Sequence, residues 1–229
     1  MKNYNNYILE KNSRADLEIR EFLLENCMPF INKMRKDVVP FLFYRGIPDY
    51  INDIEDFIND RTTYKDSGRR LHDLMNKYGE EKFGWKIRNG VFATNNLVEA
   101  NRFTLNQYDD DEGSINICIP IGEFNFVYSQ EVVDLTEKVA DDFMWVYISW
   151  MYKNHPKILP NNDPLSEFNS YKDEYDKDYD EYIQNLVKTY KDKNLGGADN
   201  VEVSFDCKEY YLINPKHEHI VLRLFDHID

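Results

Sequence analysis

Isoleucine recurs at every second position in the stretch INICIPIG, at Ile115, Ile117, Ile119 and Ile121. Successive side chains of a β-strand point to opposite faces of the sheet, so this alternation predicts a strand over 115–122. Other short apolar runs, most of them bounded by glycine, proline or polar residues, predict further strands. These runs are 40–45, 90–94, 124–129, 200–205, 209–215 and 219–225.

Apolar residues at helical spacing predict a second kind of element between these strands. The predicted helices are 15–36, 49–61, 68–84, 95–104 and 130–155, together with the acidic stretch 160–194. Pro29 either kinks the first helix or starts another one. Helices and strands therefore mix without a regular βαβ rhythm, which favours the α+β class. We expect one domain over 1–229, with an N-terminal helical segment (1–38) and an acidic helical insertion (160–194).

A stripe of tyrosines marks the acidic stretch. Tyr171, Tyr175, Tyr179 and Tyr182 recur at helical spacing. Such a stripe is typical of a solvated helix that packs one face onto the body of the protein. A partner-binding face is the alternative interpretation.

The charge of the chain excludes one class of function. Its 229 residues include 28 Lys and Arg against 42 Asp and Glu, for a formal net charge of −14. No block of Lys and Arg is present to neutralise phosphates, so we expect no direct binding to a nucleic-acid backbone. A basic pocket inside an acidic shell remains open, as does an acidic surface that mimics nucleic acid.

The cysteines and the hydrophobic pattern indicate the cellular compartment in which we expect the protein. Cys27, Cys118 and Cys207 are odd in number and far apart, which is typical of reduced, buried thiols in a cytosolic protein. The N-terminus lacks the apolar core of a signal peptide, and no run of 18 apolar residues occurs. We therefore expect a cytoplasmic protein without a membrane span; its oligomeric state stays open.

Three polar residues lie on or beside apolar strands, where an unpaired charge is costly. Arg45 follows the aromatic run FLFY and precedes Gly46, Thr94 ends GVFAT, and Glu202 lies in NVEVSF. Arg45 suits either an anionic ligand or a surface turn. Arg45 and Glu202 could also neutralise each other.

In this chain order, the three segments resemble the ADP-ribosyltransferases of the Arg-Ser-Glu type, and those of the T-even phages in particular. YRGIP resembles the arginine strand of that family. GVFATN resembles its Gly-Phe-x-Ser-Thr-Ser stretch, with Phe92 at the aromatic position and Thr94 at the first serine. NVEVSFDCKEYYLI resembles the late strand that carries the catalytic glutamate, here Glu202. The similarity covers three segments of five to fourteen residues.

The resemblance implies a fold with central split β-sheets and flanking helices, and NAD as the cofactor. It implies transfer of ADP-ribose to a macromolecular acceptor, expected to be a protein, in a phage or bacterial effector setting. Glu202 would stabilise the positive charge that develops on the ribose. Arg45 would hold the pyrophosphate, and the Thr94 hydroxyl would orient both side chains.

Further residues take roles by the same resemblance. The Gly46 backbone would bind the nicotinamide amide, and Phe92 and Phe103 would shape or stack on its ring. Asn200 takes the acceptor-engaging position two residues before Glu202, where arginine-modifying members have glutamate or glutamine. The alternatives are an inactive binding protein of the same fold, whose acidic surface sequesters a protein or nucleotide-like ligand, and an NAD glycohydrolase.

Two other groups of residues have competing interpretations. His72 and the arginines near it form either a solvated basic patch or an additional phosphate-binding surface. These arginines are Arg61, Arg69, Arg70 and Arg88. His217 and His219 would share a face of the predicted strand 219–225 and its approach, but no third ligand is evident, so no metal site is predicted.

Overall fold

The computed structural model describes residues 14–62, 69–102, 104, 113–139 and 172–225, with the side chains of 172–176 excepted. The predictions for Phe103, Tyr171, the Tyr175 side chain and most of the helix 130–155 lie outside these residues. The strands are β1 (Tyr44–Ile47), β2 (Ile54–Ile58), β3 (Val91–Thr94), β4 (Ser114–Ile121), β5 (Asn125–Tyr128), β6 (Glu202–Asp206) and β7 (Glu209–Ile213). The α-helices are α1 (Arg14–Asn26), α2 (Met28–Lys36), α3 (Arg69–Phe83), α4 (Leu97–Arg102), α5 (Leu135–Val139), α6 (Lys172–Thr189) and α7 (Glu218–Phe225).

The strands form one antiparallel sheet in the order β2-β7-β4-β1-β3-β6-β5. β1 pairs with β4 over four residues but with β3 at Tyr44 and Thr94 alone. β3 in turn pairs with β6 over four residues. Two well-paired halves of the sheet therefore meet at a single pair of residues, and the prediction of an α+β protein is confirmed.

Helices cover both faces of the sheet near β5. Phe126 and Tyr128 lie in a core formed with α1, α2 and α7, in which Phe30 contacts Phe205 edge to face. Val127, on the opposite face, lies in a second cluster formed by α3, α5 and α6. The two layers fix the sheet from both sides, and Tyr179 of the predicted tyrosine stripe is buried in the second.

The structure overturns two predicted elements. Residues 54–58 of the predicted helix 49–61 form β2, which pairs with β7 along five residues at the edge of the sheet. Residues 219–225, predicted as a strand, belong to the helix α7. In that helix Ile220, Val221 and Leu224 are buried on one face, but the apolar run that contains them is so short that periodicity alone does not distinguish a buried helix from a buried strand.

Several predicted boundaries shift by a few residues. The helix 15–36 is two helices, because α1 ends at Asn26 and Pro29 lies in the first turn of α2. Proline is tolerated there, since the first backbone N–H groups of a helix have no partner within it. The strand predicted over 40–45 begins at Tyr44 and continues to Ile47, so Arg45 and Gly46 lie inside β1 and not at its end.

The cysteines are buried and free, as predicted. Burial raises the pKa of Cys27 and of Cys118 to about 12, because a thiolate loses its hydration there. Among the residues that the structure describes, no helix is long and apolar enough to cross a membrane.

Candidate functional site

A cavity opens beside the point where the two halves of the sheet meet. Its walls come from β1, β3, the start of β6, the short 3-10 helix Ile87–Asn89, α4 and the chain entering α5. The space between the walls is about 650 Å³, including the open solvent at its mouth. Five of the residues predicted for the site line it: Arg45, Gly46, Phe92, Thr94 and Glu202.

The strand register brings these residues together. Thr94 lies opposite Tyr44 of β1 on one side and opposite Glu202 of β6 on the other. Arg45 follows Tyr44 directly. Three segments far apart in the sequence therefore occupy three consecutive strands, and each contributes a polar side chain to the same cavity.

Arg45 joins the two halves of the sheet. Its Nη1 donates a hydrogen bond to the Phe92 carbonyl of β3 over 2.8 Å, where β1 and β3 have no residues in register. Its guanidinium carbon is 5.9 Å from the centre of the Tyr210 ring. Its Nε is buried and has no hydrogen-bond partner in the described part of the chain. Arg45 thus has a structural contact and still offers a donor to a ligand.

Glu202 pairs with Arg88 and not with Arg45. Arg88 Nη1 donates to Glu202 Oε1 over 2.8 Å, and the two side chains are only 5% and 14% exposed. The interpretation of Arg88 as a solvated charge is therefore wrong. Burial raises the pKa of Glu202, and the Arg88 cation opposes that rise.

Phe92 lies among the arginines of the cavity. The guanidinium carbons of Arg88 and Arg61 are 4.0 and 4.7 Å from the centre of its ring. The face of an aromatic ring attracts cations, so Phe92 helps to hold both guanidinium groups at this wall. The Phe92 backbone carbonyl binds Arg45 at the same time.

Thr94 has a different contact from the one predicted. Its Oγ1 accepts a hydrogen bond from the Asn96 backbone N–H over 3.0 Å, at the turn between β3 and α4. Asn96 caps α4, because its Oδ1 accepts from the N–H groups of Val98 and Glu99. Thr94 lines the cavity, but no hydrogen bond to Arg45 or Glu202 occurs among its described contacts.

Asn200 lies in an exposed turn and does not line the cavity. Its φ of 56° is left-handed, a conformation that asparagine adopts more readily than most residues. Its backbone N–H donates to Asn95 Oδ1 over 2.6 Å, and its own Oδ1 accepts from Asn96 Nδ2 over 2.9 Å. These contacts tie the turn before β6 to the turn before α4.

Sequence reasoning missed the acidic wall of the cavity. Glu99 of α4 lines it, and burial raises the pKa of this carboxyl group, while Arg102, 3.2 Å away, opposes the rise. Asp134 also lines it and caps α5 by accepting from the Glu137 N–H over 2.8 Å. Neither residue was singled out for the site in the sequence, because a helical period does not show which face meets a cavity.

The two predicted histidines do not share a strand but approach the same carboxylate, with His219 Nε2 3.7 Å from Asp16 Oδ2. His217 ends the 3-10 helix Pro215–His217, and His219 lies in α7. The buried ring of His217 lies between two carboxylates, with Nδ1 2.8 Å from Asp16 Oδ1 and Nε2 2.9 Å from Asp53 Oδ1. The cluster therefore links α1, the chain before β2 and the start of α7.

Comparisons of this chain with protein-family models, with curated proteins and with solved structures found no match.

Proposed function

We propose that this protein is an NAD-dependent mono-ADP-ribosyltransferase with an ADP-ribosyltransferase-like fold, and that it modifies a protein acceptor. One observation carries the proposal. Arg45, Phe92, Thr94 and Glu202, from three segments that resemble the motifs of that family, line one cavity on three consecutive strands.

The residues of the cavity fit the charges of NAD, which combines a cationic nicotinamide ring with an anionic pyrophosphate. One wall carries Arg45, Arg61 and Arg88, and the acidic side chains Glu99 and Asp134 line the same space. The Nε atoms of Arg45 and Arg88 are buried without a hydrogen-bond partner among the described residues. A buried donor left unpaired costs about 1–3 kcal/mol, and a ligand oxygen would remove that cost.

The reaction breaks the bond between nicotinamide and ribose. Nicotinamide leaves with the bonding electron pair, positive charge develops on the ribose, and a nucleophile of the acceptor protein then forms the new bond to the ribose and gives up its proton. Glu202 stabilises that charge, because its carboxylate is fixed in a largely buried position. Arg88 binds Oε1 of this carboxylate, so Oε2 is the atom assigned to the ribose hydroxyl.

The other residues bind and orient NAD. Arg45 donates to the pyrophosphate oxygens through the groups that Phe92 does not use. The Gly46 backbone binds the nicotinamide amide. Phe92 holds Arg61 and Arg88 in place, a role different from the nicotinamide contact that the resemblance implies.

A second candidate is a protein of the same fold that binds NAD without cleaving it. The Arg88–Glu202 ion pair favours it, since Arg88 already occupies one oxygen of the carboxylate that would act on the ribose. The net charge of −14 suits a surface that sequesters a basic protein.

The test is nicotinamide release from NAD, together with mass spectrometry of a bacterial lysate incubated with NAD and the purified protein. We expect release and labelling by the wild type, and a loss of at least about 100-fold in Glu202→Gln. Glu209→Gln, an exposed glutamate of β7, is the matched control. Release without labelling would identify a glycohydrolase, and a thermal shift with NAD without release would favour the second candidate. A wild type that neither binds NAD nor releases nicotinamide contradicts both.

A further inference from the structure

Arg88 is buried beside the carboxylate assigned to catalysis, and no motif that suggested the site includes it. We propose that Arg88 is the positioning residue for Glu202, the role that the resemblance gives to Thr94. This inference rests on the proposed function for its catalytic meaning. The structural part of the inference is that the Arg88 guanidinium fixes the position and the ionisation of the Glu202 carboxylate.

The backbone around Arg88 is fixed from two sides. The Arg88 N–H donates to Asn76 Oδ1 of α3 over 2.7 Å. The Ile87 carbonyl accepts from Ser204 Oγ of β6 over 2.6 Å. The 3-10 helix Ile87–Asn89 is therefore fastened both to α3 and to the strand that begins with Glu202.

Two contacts then reach the same face of β6. Ser204 and Glu202 are two residues apart, so their side chains point to the same side of the strand. Ser204 binds the Ile87 carbonyl, and Glu202 binds the Arg88 guanidinium. Ile87 and Arg88, which are consecutive in the 3-10 helix, thus bind Ser204 and Glu202, which are two residues apart in the strand. Together these contacts fix the distance between Arg88 and Glu202.

The Arg88 side chain has little freedom. It is 5% exposed, its guanidinium carbon is 4.0 Å from the centre of the Phe92 ring, and its Nη1 is 2.8 Å from Glu202 Oε1. Among its described contacts Thr94 makes no hydrogen bond to Glu202, and its hydroxyl accepts from the Asn96 N–H. The guanidinium is therefore the group that holds the carboxylate.

The pKa of Glu202 depends on the charges around it, so measuring this pKa tests the inference independently of activity. Arg88 and Arg61 lower its pKa, whereas burial and Asp134 raise it, and the buried Tyr190 hydroxyl lies within its electrostatic influence. Arg88 is the largest of the opposing influences. Removing its charge must therefore raise the pKa of Glu202 further.

The experiment is an NMR titration of the full chain with ¹³C-labelled glutamate, in which Glu202→Gln assigns the signal. Arg88→Gln keeps a hydrogen-bond donor but removes the charge, and we expect it to raise the Glu202 pKa by about one unit or more. Arg88→Lys keeps a cation and should restore most of the shift. Arg20→Gln, at an exposed arginine of α1, is the control and should leave the titration unchanged.

Kinetics separate positioning from folding. In Arg88→Gln we expect kcat for nicotinamide release to fall at least tenfold, with a smaller change in KM and the acid limb of the pH profile moved upward. An unchanged Glu202 titration in a folded Arg88→Gln overturns the inference, as does an unchanged kcat. Should Arg88→Gln fail to fold, Arg88→Lys is tested in its place. A Glu202 signal that titrates as in the wild type, with kcat preserved, supports the inference. Loss of kcat without a change in the Glu202 titration overturns it. A shifted titration in a protein that never releases nicotinamide contradicts the proposed function and leaves the Arg88–Glu202 contact established.

Discussion

Tyr44 of β1 lies opposite Thr94 of β3, and within the described sheet these two strands have no other residues in register. By contrast, β1 pairs with β4 over four residues, and β3 pairs with β6 over four residues. The cavity opens at this weakly paired junction, and the Arg45 hydrogen bond to the Phe92 carbonyl is a second link across it. The site therefore lies where the sheet itself makes the fewest backbone contacts.

Arg45→Met tests whether one guanidinium both links the sheet and binds the ligand. The variant leaves the Phe92 carbonyl without its donor, so we expect the free energy of unfolding to fall by about 1–3 kcal/mol. NAD affinity should fall as well, because the pyrophosphate loses its arginine. Urea unfolding and calorimetric titration with NAD measure the two effects. Arg20→Met, on the exposed side of α1, should change neither; full stability in Arg45→Met would show that the Phe92 contact is dispensable.

Gly90→Ala tests the close approach that places Arg88. A Cβ at Gly90 would lie 2.2 Å from Ser204 Oγ and 2.9 Å from the Phe205 carbonyl oxygen, so the 3-10 helix would have to move away from β6. We expect a loss of about 1–3 kcal/mol in stability, as for other overpacked sites, and slower nicotinamide release.

Gly84→Ala is the control for that variant. Gly84 has a φ of 82° and no atom within 4 Å of an added Cβ, so alanine there is strained without a clash. It should lose about 1 kcal/mol or more of stability and retain nicotinamide release. Equal loss of release in the two variants would mean that destabilisation alone explains the effect of Gly90→Ala.

Asp53→Asn tests the carboxylates around His217. Hydrogen bonds from Lys216 and then from His217 lower the pKa of Asp53. A group whose pKa is lowered by folding stabilises the protein above its unfolded pKa, near 4, and this contribution is lost as the pH falls through the folded value. We expect the variant to be less stable than the wild type at pH 7 and the difference to shrink by pH 3.

Urea midpoints at the two pH values measure this difference. Since the Asp53 side chain is 46% exposed, solvent screens the interaction and the effect should be modest. Asp56→Asn, at an exposed position of β2, is the control. A difference between Asp53→Asn and the wild type that is the same at both pH values would exclude ionisation of Asp53 as its source.

The sequence predicted most of the elements near the site because their patterns are local. Alternating isoleucines mark β4, and Gly90 followed by apolar residues marks β3. The two wrong elements carried a misleading local signal: β2 has apolar residues at helical spacing although its pairing with β7 decides its structure, and α7 is a short apolar run that periodicity alone cannot assign to a helix or a strand. Tertiary pairing overrides the local pattern at β2.

The residues of the site also divide into those that the sequence predicted and those that it did not. Arg45, Thr94 and Glu202 were selected because each lies on or beside an apolar strand in a segment that resembles a motif of a known family, and all three line one cavity. Arg88 was predicted to belong to either a solvated basic patch or a phosphate-binding surface, since nothing in the sequence indicates that it would be buried against a carboxylate 114 residues away. Contacts of that range depend on the register of β3 with β6, which no short pattern encodes.

The order of the strands has a consequence for how binding relates to folding. Each wall of the cavity comes from a different stretch of the chain, and the neighbours β1, β3 and β6 are separated by long intervening segments. The residues that line the cavity span 44–202, so a shorter fragment lacks part of its wall. A ligand bound there therefore stabilises the entire fold at once, by about 2.7 kcal/mol when its free concentration is 100 times Kd.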